Sequence, residues 1–129
     1  MPVSQTPFGG PGSGVQAITG SSGNQANANA VATLTATATT TSWITGFECS
    51  AAGSTAGLAV VVTVTGLIGG TKSYIFTFPA GVLVGATPLI VTFPTPIPAS
   101  APGVNIVVTL PAGGGGNTNA AATAEGFLA

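Results

Sequence analysis

The chain has no histidine, no aspartate and no arginine. Its charged side chains are Glu48, Lys72 and Glu125, 2% of 129 residues, against the ~25% usual in soluble domains. Each absence removes a class of chemistry. Acid–base catalysis draws mostly on His, Asp, Glu and Lys, and three scattered groups leave it almost nothing to work with. A metal site needs a cluster of His, Cys or carboxylate ligands; one cysteine and two glutamates 77 positions apart do not make one. Nucleic-acid affinity comes from several Lys or Arg contacts to phosphate, so one lysine argues against such a partner, and anionic membrane surfaces are disfavoured on the same ground. Cys49 stands alone and cannot form an intrachain disulfide. With no histidine to activate it, and with strand alternation placing it inward beside Phe47, it reads as an inert thiol. No enzyme and no cofactor are expected.

Other signals are missing too. The opening MPVSQTPFGG has neither a basic nor an apolar leader region, so no secretory signal is expected. The longest apolar run, 58–68, is broken by Thr63, Thr65 and Gly66, short of the ~20 residues a membrane helix needs. No amphipathic helical window occurs.

What is present is Thr, Ser, Asn and Gly around dense Val, Ile, Leu and Phe. Residues 1–28 are rich in Gly, Ser, Pro, Asn and Gln, with isolated apolar side chains at Val3, Phe8, Val15 and Ile18. This composition predicts an extended or flexible arm, whose sparse apolar residues are candidate contacts to a neighbouring subunit. From residue 29 the period becomes two. Strands are predicted over 30–40, 42–50, 58–65, 72–78, 88–93, 104–110 and 120–127, with a short eighth at 82–84. In 42–50 simple alternation puts Trp43, Thr45, Phe47 and Cys49 on one face and Ile44, Gly46 and Glu48 on the other. In 72–78, Tyr74, Phe76 and Phe78 share a side. Pro94, Pro96, Pro98 and Pro102, which separate two of the strands, lack amide donors, so their segment is a rigid crossover or a sheet edge. The fold class is all-β: an antiparallel two-sheet β-sandwich over 29–129 with an N-terminal arm over 1–28, and the long proline connection favours a jelly-roll.

Two glycine motifs test as coincidences. Residues 66–73, GLIGGTKS, approach a phosphate-binding loop, but Thr71 stands where glycine must precede the lysine, and strand residues follow where a helix should. A hairpin with Gly69-Gly70 at its turn explains the same letters. GSGVQA at 12–17 lacks the preceding strand of a dinucleotide fingerprint. Glu48 and Glu125 fall at solvent-face parities and are expected as exposed glutamates, unless their strands are neighbours.

Interaction is what remains. A strand such as LAVVVTVT, apolar or Thr on both faces, suits either a sheet with a partner on its outer side or a central strand beneath a loop. The glycine-rich arm, ANAVATLTATATTTSWITGFECSAAG, VVTVTGLIGGTKSYIFTFPAG and VVTLPAGGGGNTNAAATAEGF together resemble the small structural proteins of tailed-bacteriophage heads, and within them the capsid decoration, or cement, proteins. That resemblance implies a β-sandwich or jelly-roll homo-oligomer, a trimer by preference. It would sit on the outer capsid surface and clamp neighbouring major capsid protein subunits. The interface residues would include Val3, Phe8, Val15, Ile18 and Lys72, the last as a rim contact. The alternative is a β-sandwich module of a tail fibre, baseplate or head spike that attaches to host-surface glycans, which exposed aromatics would mark.

Overall fold

The computed structural model describes residues 15–114 and 116–129. Among these residues there are eight strands: β1 Gln16–Ser21, β2 Ala30–Leu34, β3 Ser42–Ala52, β4 Leu58–Thr65, β5 Lys72–Phe78, β6 Leu89–Pro98, β7 Ile106–Leu110 and β8 Asn119–Leu128. They form two antiparallel four-stranded sheets: sheet I in the order β1-β8-β3-β6, and sheet II in the order β2-β7-β4-β5. The protein is an all-β sandwich, and its described residues hold no helix. The pairing is nested: β4 with β5, β3 with β6, β2 with β7 and β1 with β8. The chain thus doubles back on itself as one long ribbon, rolled so that alternate pairs fall in opposite sheets.

Alternation builds the core. Val62 and Val64 of β4, Phe76 and Phe78 of β5, Ile106, Val108 and Leu110 of β7 and Ala32 and Leu34 of β2 turn inward from sheet II. Ile44, Phe47 and Cys49 of β3 meet them with Ala120, Ala122 and Ala124 of β8. The small residues on β8 let the larger rings opposite interdigitate at normal packing density. Phe47 is the hub, with its ring 5.2 Å from Tyr74 and 6.2 Å from Phe93.

Strands β4 and β5 occupy the predicted spans. Their hairpin turns at Gly69 and Gly70, with φ of +87° and +100°, the left-handed region that glycine enters without steric cost. Four features differ from expectation. Residues 16–21, given to the arm by composition, pair along their whole length with β8, so the sandwich begins before residue 29. Strand β2 ends at Leu34; the Thr/Ala alternation continues to residue 40 but gives way to a turn in which Thr37 and Thr40 bond each other. Residues 82–84 form no strand, and their side chains are exposed. Strand β6 extends past the expected end at residue 93 through Pro94, Pro96 and Pro98, and it is the edge of sheet I, the second of the two alternatives given for the proline segment.

The fifth difference reorients a face. A bulge in β3 between Ile44 and Gly46 shifts its register with both β6 and β8. One inserted residue reverses the parity of everything before it. Ile44 therefore faces the core, and Trp43, expected inward with Phe47, turns outward. There its ring stacks on Phe127 of β8, with centroids 5.8 Å apart and planes 8° from parallel.

The two flanks of the sandwich are unlike. On one, β1 and β2 close so tightly that a Cβ on Gly20 would strike the backbone of Thr33. On the other, β5 and β6 stand apart and the 79–88 connection lies between them.

Candidate functional site

The few ionisable groups are spread over both sheets. Glu48 and Glu125 lie on neighbouring strands: Glu125 is opposite Gly46, and Glu48 opposite Thr123. They are diagonal neighbours on the outer face of sheet I. Glu48 is exposed as expected, whereas Glu125 is half-buried and its Oε2 has no hydrogen-bond partner. Burial, a hydrogen bond to Glu48 and the negative charge of Glu48 push its carboxyl up to about 6. Thr45, at the bulge, donates to the Glu125 main-chain carbonyl at 3.1 Å and leaves the carboxyl untouched. Glu125 is thus not the exposed glutamate expected by default, and the condition for the two to meet holds: β8 lies beside β3, an adjacency that spacing in the sequence does not show. Cys49 is fully buried, and that burial pushes its thiol up to about 12, which suppresses the nucleophilic thiolate. No group of three metal-ligating side chains occurs among the described residues.

Apolar surface is more abundant than charge. The outward side chains of sheet II are Val31 and Thr33 on β2, Val107 and Thr109 on β7, Ala59, Val61, Thr63 and Thr65 on β4, and Ser73, Ile75 and Thr77 on β5. None can ionise. At the centre of the β4–β5 half, Val61 and Ile75 stand directly opposite each other, 45% and 68% exposed. Val31 is a further exposed apolar side chain at the β2 edge, in a row with Thr109 and Thr63. Beyond β5, the 79–88 connection presents Val82, Leu83 and Val84, and Leu83 is 97% exposed. Ile90 on β6 adds a further exposed side chain. An open groove of about 520 Å³ runs between the β5 and β6 edges, lined by Ile75, Phe76, Thr77, Pro79, Val84, Gly85, Thr87, Pro88 and Leu89. It too contains no ionisable group.

The expected contact residues do not gather in one place. Val3 and Phe8 lie outside the described residues. Val15 is half-buried just ahead of β1. Ile18, on β1, is partly buried and packs against the core of the sandwich. Lys72 is exposed at the first residue of β5, opposite the inward-facing Val64, so it marks the end of the strand on its core-side parity and is not part of the outer face itself. The sheet II face was foreshadowed by Val/Thr on both sides of residues 58–65. The groove was not, because it depends on which strands become edges.

No family model, curated protein or solved structure matches this chain.

Proposed function

We propose that this protein is a non-enzymatic structural component of a virion, a capsid decoration protein of the tailed-phage type. It binds the outer capsid surface and clamps neighbouring major capsid subunits. We read the nested pairing of its strands as a jelly-roll, two interlocked Greek keys, and the working form as a homo-oligomer, a trimer by preference. The observation that carries this reading is the ion-free outer face of sheet II. Interface centres are depleted of charge and enriched in apolar groups, and this face matches that composition, with Val61 and Ile75 exposed on its β4–β5 half. Lys72 at the rim suits steering toward an acidic surface, a role that affects encounter rate more than final affinity.

The test is co-sedimentation with expanded heads assembled without this protein. The wild type pellets at a fixed stoichiometry with the capsid lattice. Val61→Glu, which buries a charge at the contact, loses binding while retaining its fold. Failure of the wild type to associate at micromolar concentration refutes the assignment.

One observation favours a second reading, a glycan-attachment module of a fibre, baseplate or spike. The bulge places Trp43 and Phe127 side by side on the outer face of sheet I, and sugars stack on aromatic faces. Glycan-array binding that Trp43→Ala abolishes, together with no affinity for capsids, selects this alternative.

A further inference from the structure

Of the edge strands, β6 and β5 bound the same groove but differ in how they are guarded. An edge strand offers unpaired amides and carbonyls to any extended chain, and proteins blunt such edges with prolines, charges or short length. Strand β6 carries Pro94, Pro96 and Pro98; three missing donors make it a poor template. Strands β1 and β2 are six and five residues long and close on each other at Gly20. Strand β5 has no such guard. From Ser73 to Phe78 it has no proline and no charge, among the described residues it pairs only with β4, and Ile75 is 68% exposed. Beside it the groove offers about 520 Å³ of uncharged space, within the range that accepts an aromatic side chain and its neighbours.

Fourteen residues precede the described chain, and the only aromatic among them is Phe8. They contain no charged side chain, so an uncharged segment meets an uncharged groove. Residues 3–6, VSQT, lie between Pro2 and Pro7 and contain neither proline nor glycine. Covalent reach decides whose groove they meet. The segment joins the sandwich at β1, whose first residue is level with Leu128 and Ser42. The groove lies at the far edge of sheet I, level with Cys49 and Leu89. That is three strand spacings across and roughly 20 Å along, about 25 Å in a straight line, before the path turns the β6 edge. From Phe8 to Val15 is seven residue steps, at most about 25 Å when fully stretched. The detour around the β6 edge comes on top of that straight line and takes the path beyond the reach of seven residues, so Phe8 falls short of the groove of its own copy.

We propose that the β5–β6 groove receives the N-terminal segment of a second copy. Phe8 is its buried anchor, and residues 3–6 add a strand to the free edge of β5. Such a contact is head-to-tail: each copy gives one segment and accepts one, so it closes into a ring when the rotation between copies permits. This supplies the contact for the homo-oligomer proposed above but does not depend on capsid binding.

The test uses the full-length chain without capsids, with mass read by sedimentation velocity. Wild type self-associates. Phe8→Ser, which removes the anchor, and Ile75→Lys, which charges the groove at an exposed position outside the core, each weaken association roughly tenfold to hundredfold, the range expected for a buried phenylalanine. Mixing the two variants is the discriminating arm. Phe8→Ser keeps an intact groove and Ile75→Lys an intact segment, so the mixture forms a one-to-one heterodimer that neither variant forms alone. Three results overturn the proposal: a monomeric wild type, variants that keep the wild-type assembly, or a mixture that stays monomeric. Ile75 also lies on the outer face of sheet II, so Phe8→Ser separates the two readings: loss of self-association with capsid binding retained leaves the decoration role standing, and the reverse outcome leaves the segment exchange standing.

Discussion

Removing the charge at Glu125 is expected to make the protein more stable at neutral pH and to flatten its pH dependence. Glu125 sits half-buried on β8 with its Oε2 unpartnered. The only ionisable side chain facing it is Glu48 on β3, and Lys72 belongs to the other sheet. Its carboxyl is pushed from the ordinary 4.5 up to about 6, first by burial, then by the hydrogen bond to Glu48 and the charge of Glu48. The folded state therefore holds this proton more tightly than the unfolded state, and stability must fall as pH rises through that interval. The favourable contribution is complete below about pH 4.5 and gone above about pH 6. A shift of this size corresponds to about 2 kcal/mol in a closed site. Water reaches part of this side chain, and screening reduces the expected effect to about 1 kcal/mol.

Urea unfolding followed by Trp43 fluorescence between pH 4 and 8 measures this directly. The composition makes the experiment clean, since no histidine or aspartate titrates in the window. Wild-type stability should drop by about 1 kcal/mol between pH 4.5 and 7, a midpoint shift of somewhat under 1 M urea. Glu125→Gln should remove that slope and match the wild type at pH 4. Glu48→Gln should reduce the slope without abolishing it, because burial is the leading cause. A wild-type stability that rises with pH over this range, or an unchanged slope in Glu125→Gln, refutes the reasoning.

The Cys49 thiol, pushed up to about 12 by burial, should be silent to Ellman's reagent at pH 8 in the native protein and titrate as one thiol in denaturant; a native reaction on the timescale of a free thiol contradicts its placement. Gly20→Ala forces a methyl group into the backbone of Thr33 where β1 meets β2, and should cost about 2–3 kcal/mol, read as a lowered Tm. An unchanged melt would show that this flank is not closed as described.

How much of this was legible beforehand follows from the kind of information each feature needs. Strands β4 and β5 could be bounded to the residue because β-branched side chains alternate between a glycine turn and flanking glycine or proline. Strand β1, QAITGS, has little alternation of its own. Its order comes from six pairings to β8, more than a hundred positions away, and local pattern has no access to that. The opposite error occurred at 35–40, where Thr/Ala alternation persists after the partner strand has ended. Periodicity shows that a segment can be a strand, whereas pairing decides whether it is one. The Glu48–Glu125 contact and the β5–β6 groove were hidden for the same reason, since both follow from strand order.

The bulge in β3 shows how a small local event can redirect a functional argument. Had alternation held through Thr45, Trp43 would lie in the core with Phe47, and sheet I would expose no large ring pair. The inserted residue instead puts Trp43 beside Phe127 and leaves the Glu125 carboxyl next to them on the same face. The two outer faces of the sandwich consequently differ in kind. Sheet II is ion-free and aliphatic, which suits a large contact with another protein surface. Sheet I gathers the stacked aromatic pair and both carboxyls of the chain. Since neither set of residues overlaps the other, Val61→Glu and Trp43→Ala perturb one face each, and binding to capsids and to glycans can be assigned separately.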